Sequence, residues 1–253
     1  MTETGESGRR RVPAIERAVA ILNLLADESR PIGVSEIARA LGLPKSSVHG
    51  ICETLADLDL LRLASTGYAP GPRPLRWSSA YLRRTSLVQE FQDLIARDPA
   101  LAGYTVTLST LDGQSVVYLA CHNSDRPLGF TFQPGQTLPA VFTATGKAML
   151  ALLSPEERHQ RLAGPWSAPF TTNGVRDSAA FEVQAAEWRT RGYAVDNGEI
   201  REGMVCLGAA VRDADGRPVA GIAISLTSAE ARPELLSDLG RTMADFAARL
   251  SHR

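Results

Sequence analysis

The clearest chemical pattern in the chain lies in the segment VSEIARALGLPKSSVHGICE, residues 34–53. Its second half places small polar and basic residues at the start of an amphipathic stretch: Lys45, Ser46, Ser47, His49 and Gly50. At a helix N-terminus, such side chains can donate hydrogen bonds to phosphates and to base edges in the DNA major groove. Lys45 can meet a phosphate or a guanine, and Gly50 permits a close approach. The segment therefore predicts a helix that reads DNA.

The same segment has the spacing of a helix-turn-helix. That motif needs a small residue where its helices cross, a turn residue that tolerates positive φ, and apolar residues on both sides. Ala38 is the small residue and Gly42 the turn residue. The apolar supports are Ile37, Leu41, Leu43, Val48 and Ile51. All of these positions agree with the motif, so we predict one here.

The segment RLASTGYAPG, which follows Leu61, predicts a hairpin around Thr66-Gly67 and hence the winged form of the motif. In this wing, Arg62, Thr66 and Tyr68 are candidate contacts to the flanking DNA backbone or minor groove. An alternative is a winged helix that contacts protein, in a ligand-binding scaffold that does not bind DNA. The small, polar outer face of the third helix favours DNA.

A second group of candidate residues lies in the C-terminal half. Residues 143–146, which include Ala144, Thr145 and Gly146, stand at a loop-to-helix junction, where free backbone N–H groups favour a carboxylate. Small and polar residues also lie on or beside predicted strands: Asp196, Glu199, Cys206 and Ser225. This composition is typical of a small-molecule pocket. The alternatives are a turn role for Asp196 and Glu199, core packing for Cys206 and a solvent-facing Ser225.

Catalytic and metal chemistry is less favoured. Residues 143–148, TATGKA, resemble a phosphate loop, but Val141 and Ala148 stand where that loop needs Gly and Ser or Thr. Cys206 has no histidine base evident from sequence. His49 and Cys52 have the spacing of half a metal site, but Cys52 belongs to an apolar stripe, which favours core packing. We therefore predict no enzyme activity, no cofactor and no metal site.

The helices and strands that must position these residues are predicted by different hydrophobic patterns in the two halves of the chain. The first helix is predicted by one apolar stripe: Ile15, Ala18, Val19, Leu22, Leu25 and Ala26. A second helix is expected over residues 34–41 and a third from Pro44. The C-terminal half has strong hairpin signals, beginning with YTVTLSTL and QSVVYLACH around Asp112-Gly113.

Further strands are predicted in LGFTFQPG, GYAVDNGEI, MVCLGAAVRD and RPVAGIAISL. Helices are expected over 143–153, from residue 154, over 178–191 and at the C-terminus. Antiparallel strands with helices between them indicate an α+β fold. The predicted organisation is a tail over 1–11, a winged helix-turn-helix over 12–71, a linker helix over 72–85 and an effector-binding and oligomerisation domain over 86–253.

Composition supports this division. Residues 1–85 carry 12 basic and 9 acidic residues, a charge of +3, against −4 for the remainder of the 253-residue chain. A basic N-terminal module on an acidic body fits nucleic-acid binding. The three cysteines do not suggest a disulfide framework, and no apolar run has the length of a membrane helix. We expect a cytoplasmic protein.

From about Val12 onward the chain resembles the IclR family of bacterial transcriptional regulators. The resemblance rests on AIERAVAILNLL, the helix-turn-helix, GYAPGPRPLRW, LPAVFTATGKAMLA and the passage from GYAVDNGEI to GIAISL. It implies a GAF-like antiparallel effector domain, with backbone donors at Ala144 and Thr145 for a ligand acid. It further implies a pocket lined by Asp196, Cys206, Ala223 and Ser225, and a dimer or dimer of dimers on an inverted-repeat operator in double-stranded DNA.

At Ala223 the chain departs from those family members that carry a hydroxyl at this position. The missing hydroxyl removes one hydrogen bond to a polar ligand and disfavours a glyoxylate-like effector. Phe130, Phe132 and Phe142 lie near the same loop and favour a larger or aromatic acid, although core packing explains them as well. The sequence thus predicts a regulator that senses a small organic acid.

Overall fold

A computed structural model of the chain describes residues 12–83, 86–126 and 129–251. The predicted tail over 1–11 lies outside these residues. The chain divides into two compact units, Met1–Arg84 and Thr85–Arg253. Among the described residues, no helix combines the length and apolar character needed to cross a membrane.

The first unit is a helix-turn-helix followed by a two-stranded wing, as predicted. Its elements are α1 (Pro13–Asp27), α2 (Val34–Leu41), α3 (Lys45–Asp57), β1 (Leu61–Ala64), β2 (Gly67–Pro70) and α4 (Arg73–Leu82). The strands β1 and β2 pair antiparallel, and the turn residues are Ser65 and Thr66, one position before the predicted Thr66-Gly67. The helix α4 falls within the segment predicted as a linker helix.

The turn between α2 and α3 depends on the predicted glycine. Gly42 has φ +62°, a left-handed conformation that glycine adopts without steric cost, and ends α2. The chain reverses because the Leu43 amide donates to the Ala38 carbonyl at 3.0 Å. Ile37 of α2 and Val48 of α3 are fully buried where the two helices pack. The pattern of small and apolar residues thus produces the predicted crossing.

The predicted apolar stripe of α1 is only partly correct. Ile21 and Leu25 are the buried residues of this helix. Ile15 is 61% exposed and Val19 48% exposed, although both were assigned to the core stripe. The core-facing side of α1 is therefore rotated toward Ile21, and its N-terminal half presents apolar side chains to the surface of the unit.

The second unit is an α+β domain built on one antiparallel sheet, as predicted. Its helices are α5 (Leu87–Arg97), α6 (Pro99–Ala102), α7 (Ala144–Leu152), α8 (Pro155–Arg161), α9 (Ser178–Arg191) and α10 (Pro233–Ser251). Its strands are β3 (Thr105–Asp112), β4 (Ser115–His122), β5 (Thr137–Pro139), β6 (Ala194–Asn197), β7 (Met204–Arg212) and β8 (Pro218–Thr227). The strand order is β5-β4-β3-β8-β7-β6, and every neighbouring pair is antiparallel.

The two faces of this sheet carry different helices. On one face, α5 and α10 cover alternate residues of the central strands, such as Leu108, Leu207 and Ile224. The residues between them face the other side, where α7 lies on the central strands and packs against α9. The second face therefore holds the predicted effector residues.

The predicted strand LGFTFQPG is wrong for its described part, residues 129–135, which form no strand. In a strand, the backbone of this segment would form hydrogen bonds with a neighbouring strand. Here it forms them with side chains instead: the Thr105 hydroxyl donates to the Phe130 carbonyl at 2.6 Å. The Asn123 side chain exchanges two 3.0 Å hydrogen bonds with the backbone of Phe132. The next strand begins only at Thr137, after this irregular segment.

Candidate functional site

The predicted DNA-reading residues lie together at the start of α3. Lys45, Ser46, His49 and Gly50 are exposed, and Ser47 is half-buried. The first turn of α3 contains no acidic residue. Its unpaired backbone N–H groups and positive helix-dipole end therefore favour a phosphate. This surface, from Lys45 to Gly50, is the candidate DNA-reading face.

Two contacts orient side chains on this face. Arg17 of α1 donates to the Ser47 hydroxyl at 3.4 Å, so a basic residue outside the predicted set lies beside α3. His49 Nε2 lies 3.4 Å from Glu53 Oε1, one turn further along the helix. Cys52, by contrast, is fully buried, and burial raises its pKa to about 11. Because His49 is exposed and Cys52 is in the core, the two do not form half a metal site.

The wing places only part of its predicted set at the surface. Arg62 and Thr66 are exposed. Tyr68 is only 7% exposed and packs in the core of the first unit, which leaves little of its side chain available to DNA. The cause is backbone pairing with Ile32, through hydrogen bonds of 2.9 and 3.1 Å, which holds Tyr68 against the core. Leu63, which the sequence did not single out, is 72% exposed on the same hairpin.

Six of the seven predicted effector residues line one cavity between α7 and the sheet. Its lining includes Ala144, Thr145, Asp196, Cys206, Ala223 and Ser225. The cavity leaves about 10 Å³ for the centre of a water molecule, which is room for about one water. The first turn of α7 approaches the sheet closely because β7 has Gly208, where a Cβ would come within 2.6 Å of the Ala144 carbonyl carbon.

The start of α7 offers two backbone donors to this cavity. The amides of Ala144 and Thr145 make no hydrogen bond to other residues that the structure describes. The Gly146 amide, in contrast, donates to the Thr143 hydroxyl at 3.1 Å. Gly146 does not line the cavity, and a Cβ there would come within 2.3 Å of the Ala140 carbonyl oxygen. Gly146 therefore serves close packing here, and its role as an effector contact stays a prediction.

Asp196 is the one acidic residue among those that line the cavity. Its Oδ1 atom accepts hydrogen bonds from the Glu199 amide at 2.6 Å and the Ile200 amide at 3.4 Å. Burial raises the pKa of Asp196 to about 7, although Lys147 and the Glu199 amide oppose the shift. Near neutral pH this carboxyl can therefore be protonated and donate a hydrogen bond.

Cys206 and Ser225 close the sheet side of the cavity. They face each other in register on β7 and β8, with Sγ and Oγ 3.3 Å apart. Burial raises the pKa of the Cys206 thiol well above its usual range, so the thiolate needed for nucleophilic attack is disfavoured. Both residues are suited to polar contact with a ligand.

Comparison with known proteins assigns the chain to a family. Residues 14–64 match the family described as "IclR helix-turn-helix domain", and residues 79–252 match "Bacterial transcriptional regulator IclR C-terminal". The chain belongs to the IclR family. It is thus a transcriptional regulator with a helix-turn-helix and a C-terminal effector domain, as the resemblance implied.

The similar IclR-family proteins are regulators by name. HTH-type transcriptional regulator BhcR of Paracoccus denitrificans is 33% identical over 232 residues, which cover 90% of this chain and 83% of that protein. The crystal structure of the repressor BlcR of Agrobacterium tumefaciens is 43% identical, covers 95% of this chain and 96% of that one, and has a TM-score of 0.62. None of these names describes an enzyme.

A third relative resembles this IclR-family chain in fold alone. It is an IclR homologue from Microbacterium hydrocarbonoxydans crystallised with 4-hydroxybenzoate, at 20% identity and a TM-score of 0.73. The match covers 94% of this chain and 98% of that one. The matched residues therefore include both units of the chain.

The cavity lined by the predicted effector residues is called the effector cavity below, and the sequence did not predict several of its other residues. Three of its other lining residues lie on strands and three lie outside helices and strands: Thr107, Tyr118 and Met204 in the first group, and Phe132, Thr143 and Ile200 in the second. Phe132 had been noted only as part of an aromatic group, and Phe142 from that group is core. Strand alternation offered a signal for Thr107, because it pairs directly with Ala223 across β3 and β8.

Proposed function

We propose that this IclR-family regulator binds an inverted-repeat operator through the DNA-reading face and senses a small organic acid in the α7 cavity. Operator binding is supported by the exposed N-terminal turn of α3. It presents Lys45, Ser46 and Gly50 with no acidic residue in that turn. Arg62 and Thr66 of the wing then contact the flanking backbone.

The protein acts as a homo-oligomer, a dimer or a dimer of dimers. One short helix contacts few base pairs, whereas two half-sites about 34 Å apart raise specificity strongly. Exposed apolar side chains on α4, on α1 and at the residue before α1 supply a surface that a second copy can cover: Val12, Ile15, Val19, Leu75, Trp77 and Tyr81. Covering them removes apolar area from water, which favours association.

The acid binds with its carboxylate at the free amides of Ala144 and Thr145. Asp196 donates a hydrogen bond in its protonated form, and the Cys206–Ser225 pair offers further polar contact. The cavity holds only about one water, so the residues that cover it must move to admit an acid. Acid binding favours one arrangement of the two DNA-reading helices, and by linkage the operator changes acid affinity by the same factor.

The test is selection of bound duplexes from a random DNA pool by the purified protein, with and without added acid. We expect an enriched inverted repeat, and a change in its affinity when butyrate or 4-hydroxybenzoate is present. A footprint without two-fold symmetry contradicts the oligomeric half-site arrangement. Failure of any sequence to be enriched under both conditions contradicts operator recognition and favours a winged helix that contacts protein.

A further inference from the structure

A second cavity continues the effector cavity along the same face of the sheet. Thr107 lines the effector cavity and Thr105, two residues earlier on β3, lines the second one. On β8, Ala223 lines the effector cavity, Thr227 lines the second and Ser225 lines both. Side chains two residues apart on a strand share a face and lie about 7 Å apart. The two cavities are therefore consecutive.

One irregular segment covers both cavities. Residues 129–132 contribute Phe130 to the second cavity and Phe132 to the effector cavity. The segment is attached to the sheet by the hydrogen bond from Thr105 to the Phe130 carbonyl and by the two from Asn123 to Phe132. It is outside the strand ladder, so it can shift at the cost of a few side-chain hydrogen bonds and leave the sheet intact.

The second cavity is larger than the first and mostly apolar. Its volume is about 310 Å³, within the range of small-molecule sites. Its charged lining residues, Arg126 and Glu230, form an ion pair, and the Arg126 guanidinium also stacks on the Tyr104 ring at 4.7 Å. Because these charges are already compensated, the cavity suits an uncharged apolar group.

We propose that the second cavity is a subsite for the apolar body of the effector, which is a monocarboxylic acid with an extended chain or ring. This inference rests on the proposed acid site at the start of α7. With the carboxylate beside Ala144 and Thr145, the body passes Ser225 and ends between Tyr104 and Phe130. The distance of about 7 Å along the strands corresponds to about six carbon–carbon bonds. Acids shorter than this reach only the effector cavity.

The test is calorimetric titration of the full chain with acetate, butyrate, hexanoate and octanoate. We expect similar affinities for acetate and butyrate. Beyond the length that reaches the second cavity, we expect a gain of about fourfold per added methylene, up to octanoate. Equal affinity for butyrate and octanoate overturns the subsite and leaves the acid site standing. Absence of binding by all four acids overturns the acid site, and the subsite with it.

Two variants test whether the gain in affinity for longer acids arises in the second cavity. Gly103 lines the second cavity without positive φ, and a Cβ there would meet only the Arg126 side chain, at 3.3 Å. Gly103→Leu should therefore fill the cavity, lower octanoate affinity at least tenfold and leave butyrate affinity unchanged. Phe130→Ala removes an apolar wall and should weaken octanoate more than butyrate. Retention of full octanoate affinity by both folded variants overturns the proposal.

Discussion

Lys147 and Glu199 form a buried ion pair that joins the first turn of α7 to the loop between β6 and β7. The Lys147 ammonium is fully buried and also donates to the Val195 carbonyl at 2.9 Å. Glu199 accepts from the Val175 amide at 3.3 Å, and its own amide donates to Asp196. The pair thus connects α7, which lines the effector cavity, to Asp196 on β6, which supplies the carboxyl group of that cavity.

Removal of one partner of this pair should destabilise the second unit strongly. Lys147→Met keeps a side chain of similar length but leaves Glu199 buried without its cation. We expect the free energy of unfolding to fall by about 3–5 kcal/mol, the usual cost of breaking a buried pair. Denaturant unfolding followed by the fluorescence of Trp166 and Trp188 measures it.

The double variant Lys147→Met, Glu199→Leu is the control for this prediction. It removes both charges, so it should recover part of the lost stability. A single variant that costs less than about 1 kcal/mol would mean that the pair is compensated elsewhere.

Stability should depend on pH through Asp196. Its pKa in the folded protein is about 7, above the usual value of 3.8, chiefly because of burial. The folded state therefore binds a proton that the unfolded state has released between pH 4 and 7. The contribution of this carboxyl to stability is present below pH 4 and is lost as pH rises through 7.

Asp196→Asn isolates this effect, because the amide oxygen can still accept from the backbone of Glu199 and Ile200. Between pH 5 and 8, the wild-type protein should lose more stability than the variant, in parallel denaturant titrations. Identical slopes for the two proteins would place the titration elsewhere. The same titration should weaken acid binding, because the ionised carboxyl repels a ligand carboxylate.

Lys45→Ala tests the electrostatic contact of the DNA-reading face. Loss of one phosphate contact should lower the slope of log affinity against log salt by about 1 unit, and weaken operator binding at all salt concentrations. Filter binding or anisotropy across a salt series measures both. Arg97, an exposed residue of α5 in the other unit, gives the matched control Arg97→Ala, which should leave the slope unchanged. An unaltered slope for Lys45→Ala would remove this residue from the interface.

Gly50→Ala should change stability and DNA affinity in opposite directions. A Cβ at Gly50 meets no atom within 4 Å, so the helix should gain about 1 kcal/mol from the better helix former. The same methyl group occupies space at the DNA surface and should weaken operator binding about tenfold, near 1.4 kcal/mol. Thermal unfolding measures the change in stability, and operator titration of the same preparation measures the change in affinity. Unchanged operator affinity would mean that DNA does not approach α3 at this position.

The exposed apolar half of α1 predicts a self-association surface. Ile15→Glu with Val19→Glu should shift the molecular mass in sedimentation toward the monomer and leave the secondary structure intact. Val183→Glu on α9 is the control, because Val183 is 69% exposed in the other unit. A mass that does not respond to the α1 substitutions would place the interface on other residues.

Ser225→Leu should abolish the response to acid and preserve operator binding. The larger side chain fills the junction of the two cavities, whereas α3 is in the other unit. The measurement is the change in operator affinity on adding butyrate, in a gel-shift titration. A full response in the folded variant would place the effector elsewhere.

The helix-turn-helix was predictable because its determinants are local. Gly42 and the apolar residues around it lie within one short segment, and each position has a steric reason. The split of the α1 stripe was not predictable, since Ile15 and Ile21 are equally apolar and only the packing of α1 against α2, α3 and β2 distinguishes them. The burial of Tyr68 was not predictable for a similar reason: its pairing with Ile32 crosses a large separation in sequence.

The effector cavity was predicted in composition more than in geometry. Alternation along β8 places Ala223 and Ser225 on one face, and the resemblance pointed to Asp196. The partner of Lys147 was missed, because 52 residues separate it from Glu199 and no local pattern links them. The segment around Phe130 has the composition of a strand, but the hydrogen bonds from Thr105 and Asn123 determine its path.

Gly208 gives the start of α7 a mechanical role. Here the helix backbone meets the backbone of β7 with no side chain between them. A layer of side chains could absorb a small displacement by changing rotamers, whereas two backbones in contact are nearly incompressible. We therefore expect a shift of α7 caused by the proposed acid to pass as a rigid movement into β7, and from there to α10 on the opposite face. The absence of a side chain at Gly208 thus couples movement at the effector cavity to movement of the whole sheet.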